Sequence, residues 1–137
     1  MPEMRGTVLI VDPEPVSRRS LTLALRTWGY TVYQAMDGEK ALELYRLHAP
    51  ALVVTELVGS RLNGLELLRR LRLEDPDAVV VVLTSRATMD DAKTAMRGGA
   101  TDFLTKPADY ARLKALLEKS LPARGVAPGE LMEVAQV

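Results

Sequence analysis

Four short apolar runs in this chain each end in one polar residue, and the four polar residues differ in chemical kind. Thr7-Val8-Leu9-Ile10-Val11 ends at Asp12, and Ala51-Leu52-Val53-Val54-Thr55 ends at Glu56. Ala78-Val79-Val80-Val81-Val82-Leu83 ends at Thr84, and Phe103-Leu104-Thr105 ends at Lys106, which Pro107 follows. Between the runs lie stretches with helical spacing. Strands alternating with helices make a parallel sheet joined by crossover helices. In an open sheet of that kind the strand C-termini share one edge, and ligands bind in the crevice there. The pattern therefore predicts that two carboxylates, a hydroxyl and an ammonium meet at one site.

The helical stretches carry their own punctuation. Val16, Ser20, Leu21, Ala24 and Trp28 fall on one helical face, with Pro15 at the first turn and Gly29 as the stop. Thr31–Ala35 reads as a strand, and its alternation marks it as an edge. Asp37 is placed to cap a helix whose buried face is Ala41, Leu44, Tyr45 and His48. The loop Val58-Gly59-Ser60-Arg61 leads to a helix with Leu65, Leu68 and Leu71 inward, and Asp75-Pro76-Asp77 is a turn. A short helix with Met89, Ala92 and Met96 inward ends at Gly98-Gly99. Asp109 caps the last helix, which turns Leu113, Leu116 and Leu117 inward. Val79–Leu83 is continuously apolar, as a strand covered on both faces should be. The apolar helical stripes read as core rather than as cofactor boxes.

Composition narrows the function classes. The 137 residues suit one domain, and 47% hydrophobic content suffices for a sizeable core. A formal net charge of zero does not by itself point to a nucleic-acid partner or an anionic membrane surface. With no cysteine and only His48, thiol chemistry and multi-histidine metal sites are out. No apolar stretch approaches the length of a membrane span, and the N-terminus lacks a signal-peptide core. A cytoplasmic domain is the expectation. Neither GxxxxGK(S/T) nor GxGxxG is present, so nucleotide or flavin binding lacks its motif. From Pro122 the periodicity stops. Residues 1–121 read as one domain, and residues 122–137 as a linker or tail leading to an output domain.

The residues at the run ends carry a family resemblance. Over roughly residues 6–121 the chain resembles the receiver domains of bacterial response regulators. The family's site has an acidic pair after the first strand, a phosphoacceptor Asp after the third, Thr or Ser after the fourth, and Lys-Pro after the fifth. Here those places hold Asp12-Pro13, Glu56, Thr84 and Lys106-Pro107. The resemblance implies a flavodoxin-like, doubly wound α/β fold, with a five-stranded parallel sheet in order 2-1-3-4-5 and helices on both faces. It also implies that the Asp takes a phosphoryl group from a histidine kinase. In the family a magnesium ion is held by the acids, and the resemblance implies that Thr84 and Lys106 would take the phosphoryl oxygens. Phe103 occupies the place of the family's switch aromatic. The Lys106–Pro107 bond is expected to be cis. Residues 90–107 look most like receivers of the nitrogen-regulator type.

Two departures shape the functional reading. Pro13 has no side-chain oxygen to replace the second acid, and Glu14, one residue on, points toward solvent or compensates in part. Glu56 carries its carboxylate one methylene further out than an Asp. That length displaces an attack trajectory built for Asp, and it imitates part of the reach and charge of a phosphorylated Asp. The expected function is a non-enzymatic, phosphorylation-independent signalling module in which Glu56 pairs with Lys106, within a two-component system and in transcription regulation. The alternative is a working magnesium-dependent phosphoacceptor, and a third reading is a decayed site with Glu56 solvated. Asp12 and Glu56 are the candidate metal ligands, for a magnesium ion bound weakly at most. Without its own hydroxyl, Phe103 is expected to stay inward. Expected partners are a histidine kinase or other signalling protein, a covalently linked output domain, and a second copy in a weak homodimer. The homodimer would form through the fourth helix, fifth strand and fifth helix, with Ala95 or Leu116 as apolar contacts, or through the first and last helices. No nucleic acid or membrane partner is expected for this domain.

Overall fold

The computed structural model describes residues 6–59, 62–85 and 88–121. Ser60 and Arg61 of the expected loop, and the whole 122–137 tail, lie outside the described residues. Ten elements alternate strictly: β1 (Thr7–Val11), α1 (Pro15–Thr27), β2 (Thr31–Ala35), α2 (Gly38–His48), β3 (Leu52–Thr55), α3 (Gly64–Glu74), β4 (Val80–Thr84), α4 (Met89–Arg97), β5 (Asp102–Thr105) and α5 (Tyr110–Ser120). The strands form one sheet in the order β2-β1-β3-β4-β5, all pairs parallel. The edge position of β2 and the interior position of β4 follow the burial patterns read from the sequence. Every residue of β3 and β4 is buried, whereas β2 alternates.

The period of two along each strand divides the core into two layers. Leu9, Val11, Val53, Val80 and Val82 face α2, α3 and α4. Val8, Ile10, Leu52, Val54 and Val81 face α1 and α5, meeting Leu21, Leu25, Leu113 and Leu117. Each helix starts on a side-chain cap: Glu14, Asp37, Asn63, Thr88 and Asp109 accept the first free N–H groups of α1 to α5 respectively. Acidic first turns and basic last turns reinforce α2, α3 and α4. At the far end of α3, the Arg72 guanidinium donates to the carbonyls of Gly99, Pro76 and Ala78. It thereby ties the helix to both loops beside it.

Several helix faces differ from the sequence expectation. In α1 the buried residues are Leu21, Thr22 and Leu25, while Val16 and Ser20 are exposed and Ala24 and Trp28 half-buried. The buried stripe runs through Leu21 and Leu25, one residue out of phase with Ala24 and Trp28. In α2, Ala41 and Leu42 are buried, Leu44 and Tyr45 half-buried, and His48 exposed. The imidazole stacks on Tyr33 with ring centroids 4.0 Å apart, so it lies over the edge strand rather than under it. In α3, Leu67 joins Leu68 and Leu71 in the core, and Leu65 is half-buried. The largest difference is α4. Its buried residue is Ala95, while Met89 and Met96 are 71% and 47% exposed. A helix laid close on a sheet presents its smallest residues inward. The same fact removes Ala95 from the expected dimer contacts, since it has no exposed surface. Leu113 and Leu117 are buried in α5, with Leu116 half-buried against them.

Candidate functional site

The sheet register brings the run ends together. Val11 lies opposite both Ala35 and Thr55, and Thr84 lies opposite Thr105. The ladder continues one residue further: Asp12 N–H donates to the Ala35 carbonyl at 3.0 Å, Glu56 N–H to Val11 at 2.9 Å, and Lys106 N–H to Thr84 at 2.8 Å. Asp12, Glu56, Thr84 and Lys106 therefore leave the sheet side by side. The Lys106–Pro107 peptide bond is cis.

Glu56 is the centre of the cluster and is only 6% exposed. Its Oε2 accepts from the backbone N–H of Leu57 at 2.7 Å and of Val58 at 3.3 Å, and from the Thr84 hydroxyl. Its Oε1 accepts from the Ser85 N–H at 3.1 Å and the Ser85 hydroxyl at 3.2 Å, and lies 3.2 Å from Lys106 Nζ. Burial raises the Glu56 carboxyl, but the Thr84 and Ser85 hydrogen bonds and the Lys106 charge outweigh it and hold the group below its ordinary 4.5. Burial likewise depresses the Lys106 ammonium. Asp12 and Glu56 outweigh that and hold it above its ordinary 10.5.

Lys106 is shared between the two acids. Its Nζ lies 2.5 Å from Asp12 Oδ2, closer than to Glu56. Asp12 is 2% exposed, and its other oxygen accepts the Glu14 N–H at 2.9 Å. The expected direct contact of Lys106 with Glu56 is present, with Asp12 the nearer partner. Glu14 itself does not join the cluster. Its carboxylate folds onto its own helix, accepting from Val16 N–H at 3.1 Å and Ser17 N–H at 2.6 Å. These bonds hold Glu14 below the ordinary carboxylate range. The cap at this junction is thus Glu14. Phe103 is half-buried, packed on the layer beneath α2, α3 and α4.

Sequence reading missed Ser85 and the two backbone donors. Ser85 directly follows Thr84, but nothing in its spacing marks it; its bonds run to the far end of the Glu56 side chain. Gly64 was also missed. It opens α3, its N–H donates to Leu57 at 3.1 Å, and a Cβ there would overlap the Glu56 carbonyl oxygen. Gly64→Ala must push α3 away from the site strand. We expect it to cost about 1–3 kcal/mol, as overpacking does, measured by urea unfolding, with a change in the Glu56 carboxyl chemical shift.

The side chains do not fit the magnesium ion that the resemblance implies. Magnesium requires several oxygen ligands in near-octahedral geometry. Pro13 supplies none, Glu14 is turned away, and Lys106 lies against both remaining carboxylates. Among the described residues no group of three or more His, Cys, Asp or Glu side chains could hold a metal ion. No helix among them is long and apolar enough to cross a membrane.

The geometry can be set beside known proteins. The family model of the response regulator receiver domain matches residues 8–118. The response regulator MprA of Mycolicibacterium vanbaalenii is 36% identical over 129 residues, covering 91% of this chain and 56% of the relative. The chain thus spans about half the length of the curated relatives it matches. Among solved structures, NtrX of Brucella abortus, crystallised with ATP, is 33% identical with a TM-score of 0.79, over 85% of this chain and 27% of that one. The CheX–CheY–BeF3–Mg2+ complex of Borrelia burgdorferi matches at 25% identity and a TM-score of 0.79, over 82% of this chain and 87% of that one.

Proposed function

The chain belongs to the response regulator receiver domain family, the receiver modules of two-component systems, and we propose that it signals there without being phosphorylated. The observation that carries this reading is the saturation of Glu56. Thr84 and Lys106, which the resemblance assigns to phosphoryl oxygens, both serve the Glu56 carboxylate, together with Ser85. The carboxylate acts as a tethered substitute for the phosphoryl group. It holds the Thr84 hydroxyl turned toward the site and keeps Phe103 against the core. As a nucleophile it is poorly placed, because both oxygens are engaged and the side chains around it do not fit a divalent ion that would draw in a donor. Phosphoryl transfer depends on such positioning and charge neutralisation.

In this reading the domain is not an enzyme, and its state is passed on by contact. A linked output domain, a kinase or other signalling protein, and a second copy are the proposed partners. Residues 1–121 are proposed as the module and the following stretch as its connection. Transcription regulation is proposed as the outcome. The test is incubation with acetyl phosphate and magnesium chloride, followed by intact mass. The unmodified mass is expected. A mass gain of one phosphoryl group, mapped to Glu56, would establish the phosphoacceptor reading instead.

A further inference from the structure

Resting on that reading, we propose that Lys106 is the resident cation of this site. Its ammonium holds Asp12 and Glu56 together in the role that a divalent ion would take, so the module needs no metal in order to adopt its signalling state.

Two buried carboxylates beside each other are stable only when charge is brought to them. Lys106 Nζ brings it directly, at 2.5 Å from Asp12 and 3.2 Å from Glu56. Its side chain is only 18% exposed, so water screens the pair little. A second positive charge stands behind Asp12, where the Arg18 guanidinium donates to the Asp12 backbone carbonyl at 2.6 Å. The ammonium thus serves both carboxylates itself, with Arg18 on the Asp12 backbone beside it.

The same geometry joins the two departures in the sequence. Shortening Glu56 by one C–C bond, about 1.5 Å, would withdraw Oε1 from a contact already at 3.2 Å. The bridge would then reduce to Lys106 and Asp12. An acid in place of Pro13 would add a third carboxylate next to Asp12, more negative charge than one ammonium balances. Proline at 13, glutamate at 56 and an inward lysine at 106 therefore form one compatible set, in which each makes the others tolerable.

The test compares the wild-type chain with Lys106→Met, using Mn2+ as a spin probe and thermal unfolding in EDTA or magnesium chloride. The wild type should leave the Mn2+ signal free and unfold at the same temperature in both buffers. Removing the ammonium should create a cation site, so Lys106→Met should bind Mn2+ and gain about 5 °C or more from millimolar magnesium. Submillimolar Mn2+ binding by the wild type would overturn the proposal, as would a folded Lys106→Met that ignores both metals. Should that variant not fold, the Lys106 Nζ resonance of the wild type decides. A signal protected from exchange and unmoved by magnesium supports the proposal, and one shifted by magnesium refutes it. The outcome is separable from the phosphorylation test. A wild type that binds Mn2+ but takes no phosphoryl group sinks only this inference. A wild type labelled by the phosphodonor without binding metal sinks the functional reading and leaves standing only the ammonium bridge between Asp12 and Glu56.

Discussion

Glu56→Gln should destabilise the domain by about 2–4 kcal/mol, although the two side chains have nearly the same shape. A carboxylate offers acceptors on both oxygens, and here both face donors. Oε2 takes the N–H groups of Leu57 and Val58, and Oε1 takes the Ser85 N–H and faces the Lys106 ammonium. Glutamine must turn its NH2 toward one of these sets, and neither backbone N–H nor ammonium can become an acceptor. One buried donor set is left unmatched, and the charge assistance of the other is lost. Hydrogen bonds to charged groups contribute about 1.5–3 kcal/mol, and an unsatisfied buried donor costs about 1–3 kcal/mol. Urea unfolding at neutral pH measures the difference, and a change below 1 kcal/mol would mean that Glu56 is solvated, as in a decayed site. The Thr84 and Phe103 resonances should move as well, because their anchor has changed.

The pH dependence of that difference has a definite sign. Glu56 is held below its ordinary 4.5 in the folded chain. Its contribution is present above 4.5 and is lost as pH falls through the lower folded value. The gap between wild type and Glu56→Gln should therefore close on the acid side. Lys106 is held above its ordinary 10.5. Its contribution is complete below 10.5 and is lost as pH rises through the higher folded value. Removing one of the two acids that raise Lys106 should bring this alkaline loss closer to 10.5. Between those limits the difference should be flat.

How far the sequence foretold this molecule depends on which physical signal was being read. The strands were plain, because a run such as Val80–Leu83 has no polar residue to confuse its burial. The run ends also located the site, since a parallel sheet has only one edge where strands finish. Helix faces were harder. In α4 the two methionines outweighed Ala95 in the hydrophobic pattern, yet close packing favoured the small residue. In α1 a single tryptophan drew the stripe away from Leu25. Within the site, the residue types were readable but their partners were not. Glu14 as a cap, Ser85 as a donor and the preference of Lys106 for Asp12 all follow from side-chain reach and from distance differences below about 1 Å. Sequence spacing does not carry such distances.

Pro13→Asp combined with Glu56→Asp should turn the domain into a phosphoacceptor labelled by acetyl phosphate in the presence of magnesium. Each single change should yield at least about 100-fold less labelling, the scale of loss that a misplacement near 1 Å produces. The reason lies in the shared ammonium. Glu56→Asp alone shortens the nucleophile and frees Ser85, but only Asp12 is then left to help hold an ion, and Lys106 already lies 2.5 Å from it. Pro13→Asp alone supplies the missing oxygen ligand, but the Glu56 carboxylate still fills the place where Thr84 and Lys106 would receive the phosphoryl oxygens. With both changes, a divalent ion can replace the ammonium between the acids, and Lys106 is released to face the incoming group. Effects that act through one shared partner are non-additive, so the double variant should exceed the product of the singles. Intact mass at fixed time for all four proteins gives the answer. Equal labelling by Glu56→Asp alone and by the pair would show that Pro13 is silent and that the length of residue 56 by itself closes the site.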